Sequence, residues 1–206
     1  NPRLRQAIAS AKAESVPKDT IERAIKRGTG ELAGETIEEL TYEGYGPGGV
    51  ALLVETTTDN KNRTAAEIRA IFTKHNASLG SPGSVAWMFQ RCGLIEVPAA
   101  GADEDAVLLA AIEAGAEDIT PAGDAFSIRT PADRLYAIEE ALQKQRVPVR
   151  PAKKSALPSN QTPVTDEKVA SQIMALIEAL DDHDDVQNVY SNLDIPDALM
   201  AKLAAA

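Results

Sequence analysis

The first 27 residues hold seven bases, Arg3, Arg5, Lys12, Lys18, Arg23, Lys26 and Arg27, against three acids, Glu14, Asp19 and Glu22. Lysine and arginine at this density neutralise phosphates, so the chemistry on offer is polyanion binding by charge, strong at low salt and blind to base sequence. The far end is the opposite: residues 158–206 carry nine acids and only Lys168 and Lys202, and include the run Asp181-Asp182-His183-Asp184-Asp185. With a net charge of −10 over the whole chain, any nucleic-acid contact is confined to a local basic patch. A second pair of bases, Lys61 and Arg63, follows a strand-like run and sits where a helix should start. The first amides of a helix lack partners and its dipole is positive there, so two bases beside it would make a small phosphate site. The competing reading has Arg63 pairing with Glu67 at i+4. The candidate phosphate-contacting residues are therefore Arg3, Arg5, Lys12, Arg23, Lys26, Arg27, Lys61 and Arg63.

Other chemistry is poorly supplied. The two histidines, His75 and His183, and the single cysteine, Cys92, do not make the ligand set of a structural zinc site, and neither histidine neighbours a G-x-S-x-G nucleophile motif. His75 and His183 read as surface or capping residues. The Asp181–Asp185 run lacks the alternating spacing and closing glutamate of a calcium loop and reads as a solvated helix end. Gly44, Gly46, Gly48 and Gly49 suggest a phosphate loop, but no G-K-[ST] follows and they lead into a strand rather than a helix. Tyr42, Gly44, Gly46, Pro47, Gly48 and Gly49 read instead as a backbone device, with proline fixing one dihedral and glycines taking positive φ. No catalytic residues, cofactor or metal are expected.

The elements that must position these residues follow from periodicity. Asn1 and Pro2 are cap and first-turn signals for a helix reaching about Ala13, and Pro17 opens a second with Ile21, Ala24 and Ile25 on one face and Gly28 as its stop. Residues 41–49 read as a turn feeding a buried strand, Val50–Val54; Asn62 caps a helix with Ala65, Ile68, Ile71 and Phe72 as its stripe, and Ser84–Phe89 alternates like a strand. Residues 93–156 then spell βαββαβ, the ferredoxin-like order, with strands at Leu94–Val97, Asp118–Pro121, Phe126–Arg129 and from Val147. A last strong helix, capped by Thr165, carries Val169, Ile173, Leu176, Ile177 and Leu180, and a short strand Val186–Tyr190 follows. One helix and one strand cannot fold alone, so they pair with the unit before the βαββαβ set. The fold class is α+β, in three domains: a helical remainder at 1–35, a discontinuous α+β domain at 36–92 plus 158–206, and an inserted ferredoxin-like domain at 93–157.

Length and composition fit a globular protein: 206 residues, 44% apolar and 25% charged. No run approaches the roughly 18 apolar residues of a membrane span, and the lone cysteine agrees with a reducing compartment, so a cytoplasmic protein with no membrane partner is expected. Asn1 in place of methionine suggests a preceding segment.

Tyr42–Gly49 (Y-E-G-Y-G-P-G-G), Thr58–Thr64 (T-D-N-K-N-R-T) and Asn1–Arg5 (N-P-R-L-R) closely resemble the YebC/PmpR family. Its R-A-I-K-R-G pattern appears within Thr20–Gly28, and Gly115-Ala116-Glu117-Asp118 also matches. Members are described as probable transcriptional regulators, with a mitochondrial relative that activates translation. The resemblance covers essentially the whole chain and implies a three-domain protein with one α+β domain inserted in the other. It departs in lacking the family's basic opening segment with a G-H-S-K-W start. The implied function is non-catalytic, DNA-binding regulation of gene expression. The alternative is a ribosome-associated translation factor that binds structured ribosomal RNA by shape and 2′-hydroxyls. The oligomeric state stays open, with a monomer favoured.

Overall fold

The computed structural model describes residues 2–31, 37–100 and 103–204. Asn1 and the expected domain boundary between residues 35 and 36 lie outside the described residues. In chain order the elements are helices α1 (Pro2–Ala13) and α2 (Lys18–Gly28), strands β1 (Glu38–Tyr45) and β2 (Ala51–Thr58), helix α3 (Lys61–Lys74) and strands β3 (Ser78–Leu79) and β4 (Phe89–Pro98). Helix α4 (Glu104–Ala114), strands β5 (Asp118–Ala122) and β6 (Ala125–Pro131), helix α5 (Leu135–Lys144) and strands β7 (Lys153–Pro158) and β8 (Thr162–Pro163) follow. The chain ends with helix α6 (Glu167–Asp181), strands β9 (Val186–Ser191) and β10 (Leu193–Asp194), and helix α7 (Asp197–Ala204). Mixed helices and largely antiparallel sheets make this an α+β protein. Two compact units result: residues 1–26 with 91–156, and residues 27–90 with 157–206.

The first unit carries the βαββαβ set. Its sheet runs β5-β6-β4-β7, so the two outer strands of the set by sequence, β4 and β7, are neighbours. Alternation along β6 buries Ile128 and Thr130, and the core joins Ile128, with Ile95 and Val97 of β4, to Val107, Ala111, Leu135 and Ile138 of the two helices. Burial of each large aliphatic side chain contributes about 1.5–3 kcal/mol. Asp103 caps α4 by accepting from the Asp105 amide, and Gly115 ends it at φ +92. The sequence places the last strand at Val147, but it starts at Lys153. Val147 is drawn back to the helix end, where its amide donates to Leu142 O at 3.0 Å.

In the second unit the sheet order is β3-β1-β2-β9, with β2 central and antiparallel to both neighbours. The apolar run Val50–Val54 is buried along its whole length, as a central strand requires. Helices α3 and α6 contribute Ile68, Phe72, Ile173 and Leu176 to its core, and α6 packs on both α3 and β9.

Four local readings are corrected. Tyr42–Tyr45 finishes β1 instead of belonging to a turn; only Gly46–Gly49 turns, with Gly48 at φ +76 and Gly46 packed so closely on Ile173 that a Cβ would clash with it. Glycine richness had masked the alternation of Glu38 to Tyr42. Ser84–Met88 is no strand, and only Phe89 joins one, as the start of β4: Ala86–Met88 forms a 3₁₀ turn, because the Glu43 carboxylate takes the amides of Gly83, Val85 and Ala86 out of reach of any ladder. Gly28 is itself the last residue of α2 rather than the one after it, and the left-handed residue is Gly30 at φ +77. The helix caps are Asn60 and Asp166, not Asn62 and Thr165, each accepting from the amide three residues on.

Candidate nucleic-acid interface

Helix α2 has an apolar side, Ile21, Ala24 and Ile25, and none of its residues is buried. At 100° per residue, Arg23, Lys26 and Arg27 form an i, i+3, i+4 stripe on the side opposite Ile21 and Ile25. All three are exposed. On α1, Arg5 and Lys12 are exposed and seven residues apart, so they share a face; Arg3 belongs to the same helix. Arg5 lines an open groove with Tyr136, Glu139 and Glu140 of α5. Lys144, hydrogen-bonded to Glu140, holds that carboxyl below its usual range, and Arg5 adds to the effect. Lys12 sits in the last turn, where a cation meets the negative end of the helix dipole.

Lys61 and Arg63 are placed differently. Both lie in the first turn of α3 rather than in a loop before it. Lys61 Nζ is 3.6 Å from Glu38 Oε1. Arg63 is ringed by acids: Nη2 is 2.9 Å from Asp185 Oδ2 and 3.1 Å from Asp59 Oδ1, and Nε is 3.8 Å from Glu67 Oε2. The Asp185 side chain, 14% exposed, also has its Oδ2 2.6 Å from Thr64 Oγ1. A carboxylate only accepts, so the Thr64 hydroxyl proton points at it. Burial pushes the Asp185 carboxyl up, but Thr64 and Arg63 outweigh it and hold the group below its ordinary value.

His183 completes the cluster. Its Nδ1 accepts from the Asp185 amide at 3.1 Å, which leaves the ring proton on Nε2, 3.1 Å from Glu67 Oε2. Glu67, His183 and Asp185 bring three potential ligand atoms within 4.8 Å of one another. The guanidinium of Arg63 already supplies the cation on Asp185. Asp185 is thus half-buried and engaged, unlike the solvated helix end expected for the acid run. The partners Thr64 and Asp185 could not be read from sequence, since 121 residues separate them.

The space beside Gly44, Gly46 and Gly48 is filled by the protein itself, while Gly49, at φ +74, faces open space. A side chain at Gly44 would lie 2.5 Å from the Phe72 ring and from Ser78 O. Among the described residues, no helix is long and apolar enough to cross a membrane.

Comparison with known proteins gives consistent matches. A family model described as TACO1/YebC second and third domain matches residues 37–193, and one described as TACO1/YebC protein N-terminal domain matches residues 1–31. The chain is 52% identical over 204 residues to "Probable transcriptional regulatory protein DP2908" of Desulfotalea psychrophila, covering 99% of this chain and 82% of that one. It is 55% identical over 197 residues to a "Probable transcriptional regulatory protein" of Desulfatibacillum aliphaticivorans, covering 96% and 79%. Among solved structures, that of the conserved hypothetical protein Aq1575 from Aquifex aeolicus superposes with a TM-score of 0.87 at 48% identity, covering 96% of this chain and 81% of that one.

Proposed function

Because the chain belongs to the TACO1/YebC family, we propose that it is a non-catalytic, cytoplasmic regulator of gene expression that acts by binding duplex DNA. The observation that carries this reading is the exposed Arg23, Lys26 and Arg27 stripe on α2. Three cations on one helix face can neutralise successive phosphates. They fix position on the duplex without reading sequence. Arg5 and Lys12, exposed on one face of α1, are further candidates, and Arg3 belongs to the same helix. The names of the relatives at about half identity support regulation of transcription.

The test is fluorescence anisotropy of a labelled duplex over a salt series with the full chain. Binding with a log–log salt slope that flattens in Arg23→Ala/Lys26→Ala/Arg27→Ala supports the reading; an unchanged slope refutes the assignment to α2. A second reading, binding of structured RNA, is favoured by one specific observation. Trp87 is 71% exposed, and a duplex with every base stacked inside offers such a ring nothing to stack on. An RNA hairpin run beside the duplex discriminates the two by affinity ratio.

A further inference from the structure

Trp87 is the single tryptophan of the chain, and burying an indole is normally strongly favourable. Here it stands 71% exposed while its neighbours two residues away on each side, Val85 and Phe89, are buried. The ring is held there. Its Nε1 donates to Ser84 O at 3.1 Å, and the same carbonyl accepts from Tyr45 Oη at 3.2 Å. Below the turn, Glu43 is 6% exposed and accepts from the Gly83 amide on Oε1 at 2.6 Å and from the Val85 and Ala86 amides on Oε2 at 2.7 Å each. On the far side, Met88 O accepts from the Ser159 amide at 2.7 Å. Charged hydrogen bonds of this kind are the stronger ones, so the loop is pre-organised and its ring loses little freedom on binding.

Two features define what such a ring fits. With its indole N–H bonded internally, it offers outward mainly a π face, which suits stacking. The stretch of chain that carries it is basic in a chain of net −10: between Glu67 and Glu96 there is no acid, while Arg69 and Lys74 precede the ring. Glu43, the acid that packs beneath the turn, is buried with three amides on its carboxylate. A partner that is both anionic and rich in flat π faces is a nucleic acid with an unpaired base.

We infer that Trp87 is a stacking platform for an unpaired nucleobase, with the Glu43-braced loop holding the ring in place. This rests on the nucleic-acid reading above and adds the contact that a duplex does not provide. Glu43 is a positioning residue; Trp87 makes the contact.

Because Trp87 is the sole indole, its emission reports on this one position. The full chain is titrated with a labelled single-stranded oligouridylate, a blunt duplex of the same length and inorganic polyphosphate, reading ligand anisotropy and Trp87 emission together; polyphosphate binding is read by competition. The single strand is expected to quench Trp87 in step with binding, while duplex and polyphosphate bind without quenching. Trp87→Ala should weaken the single strand by about 5- to 150-fold, the range for loss of one base–aromatic stack, with Trp87→Phe within a few-fold of the parent and both variants melting with it. Three results overturn the platform. Equal single-strand affinity in parent and Trp87→Ala does so, and so does quenching by polyphosphate as deep as by the strand. Absence of any anisotropy change removes the nucleic-acid reading and the platform together, whereas the first two results leave that reading standing.

Discussion

Arg23 and Arg63 are the same side chain in the same kind of place, an outward position on a helix, yet they are chemically opposite. Arg23 belongs to a stripe of three bases on α2. Arg63 has carboxylates of Asp59, Glu67 and Asp185 within 4 Å. Arg23 has two further bases, Lys26 and Arg27, on its own side of α2; Arg63 has three carboxylates around one guanidinium. Availability of a base thus depends on which acids the fold brings to it, and Asp185 comes from 122 residues away.

The largest expected effect tests the α2 side of this contrast. Each phosphate contact on duplex DNA contributes about 0.9 to the log–log salt slope. Arg23→Ala/Lys26→Ala/Arg27→Ala should therefore flatten the slope by about 2.7 and, extrapolated to physiological salt, lower affinity on the order of a hundredfold. Melting temperature should hardly move, since none of the three is buried. A salt slope equal to that of the parent would remove α2 from the interface.

Next is the stability of the Arg63 side. Asp185→Ala takes the carboxylate acceptor from the Thr64 hydroxyl, which falls back on Asn60 O and Thr58 Oγ1, and leaves Arg63 without its nearest carboxylate, at a cost of about 1–2 kcal/mol by urea unfolding. The pH dependence has a definite sign. The native Asp185 carboxyl lies below its unfolded value of about 3.9, so its contribution is fully present above that pH and is lost as pH falls through the lower native value. The stability gap between parent and Asp185→Asn should accordingly narrow in acid. A gap that stays constant down to pH 2 would mean the charge is not what Thr64 and Arg63 hold.

These two regions also show how much could be read beforehand. The basic stripe was legible, because helical spacing alone puts residues 23, 26 and 27 on one side. So were the βαββαβ order and the central strand at Val50–Val54, which follow from periods of 3.6 and 2 and from tight turns. The Asn60 cap was missed by two positions, since Asn60 and Asn62 look alike until one sees that the Asn60 side chain reaches the Arg63 amide. The Ser84–Phe89 error has a tertiary cause: its Val-Trp-Phe alternation mimics a strand, and only Glu43, 40 or more residues earlier, draws its amides into a turn. The Arg63 cluster depends on β9 pairing with β2, a long-range event that no local pattern announces.

A smaller effect sharpens the comparison by turning one region into the other. Asp59→Asn with Glu67→Gln removes two of the three acids while sparing the half-buried Asp185. If acids alone keep Arg63 from phosphate, this variant should bind duplex a few-fold tighter, with a slope steeper by up to about 0.9 for one added contact. A slope and affinity identical to the parent would mean that Asp185 by itself suffices to occupy the guanidinium.

The smallest expected change is in Lys61→Ala/Arg63→Ala. As a phosphate site at the start of α3, the pair would contribute about 1.8 to the slope on duplex DNA, two contacts at 0.9 each. The geometry argues otherwise: Lys61 faces Glu38, Arg63 is held by Asp185, and the Asn60 side chain already accepts from the Arg63 amide. The slope of the double variant should then match that of the parent, while urea unfolding records the loss of the Arg63–Asp185 contact and only a few tenths of a kcal/mol from the exposed Lys61–Glu38 pair. A slope reduced by nearly two with stability unchanged would reverse the contrast, making the ring of acids a resting partner that phosphate displaces and placing the first turn of α3 in the interface beside α2.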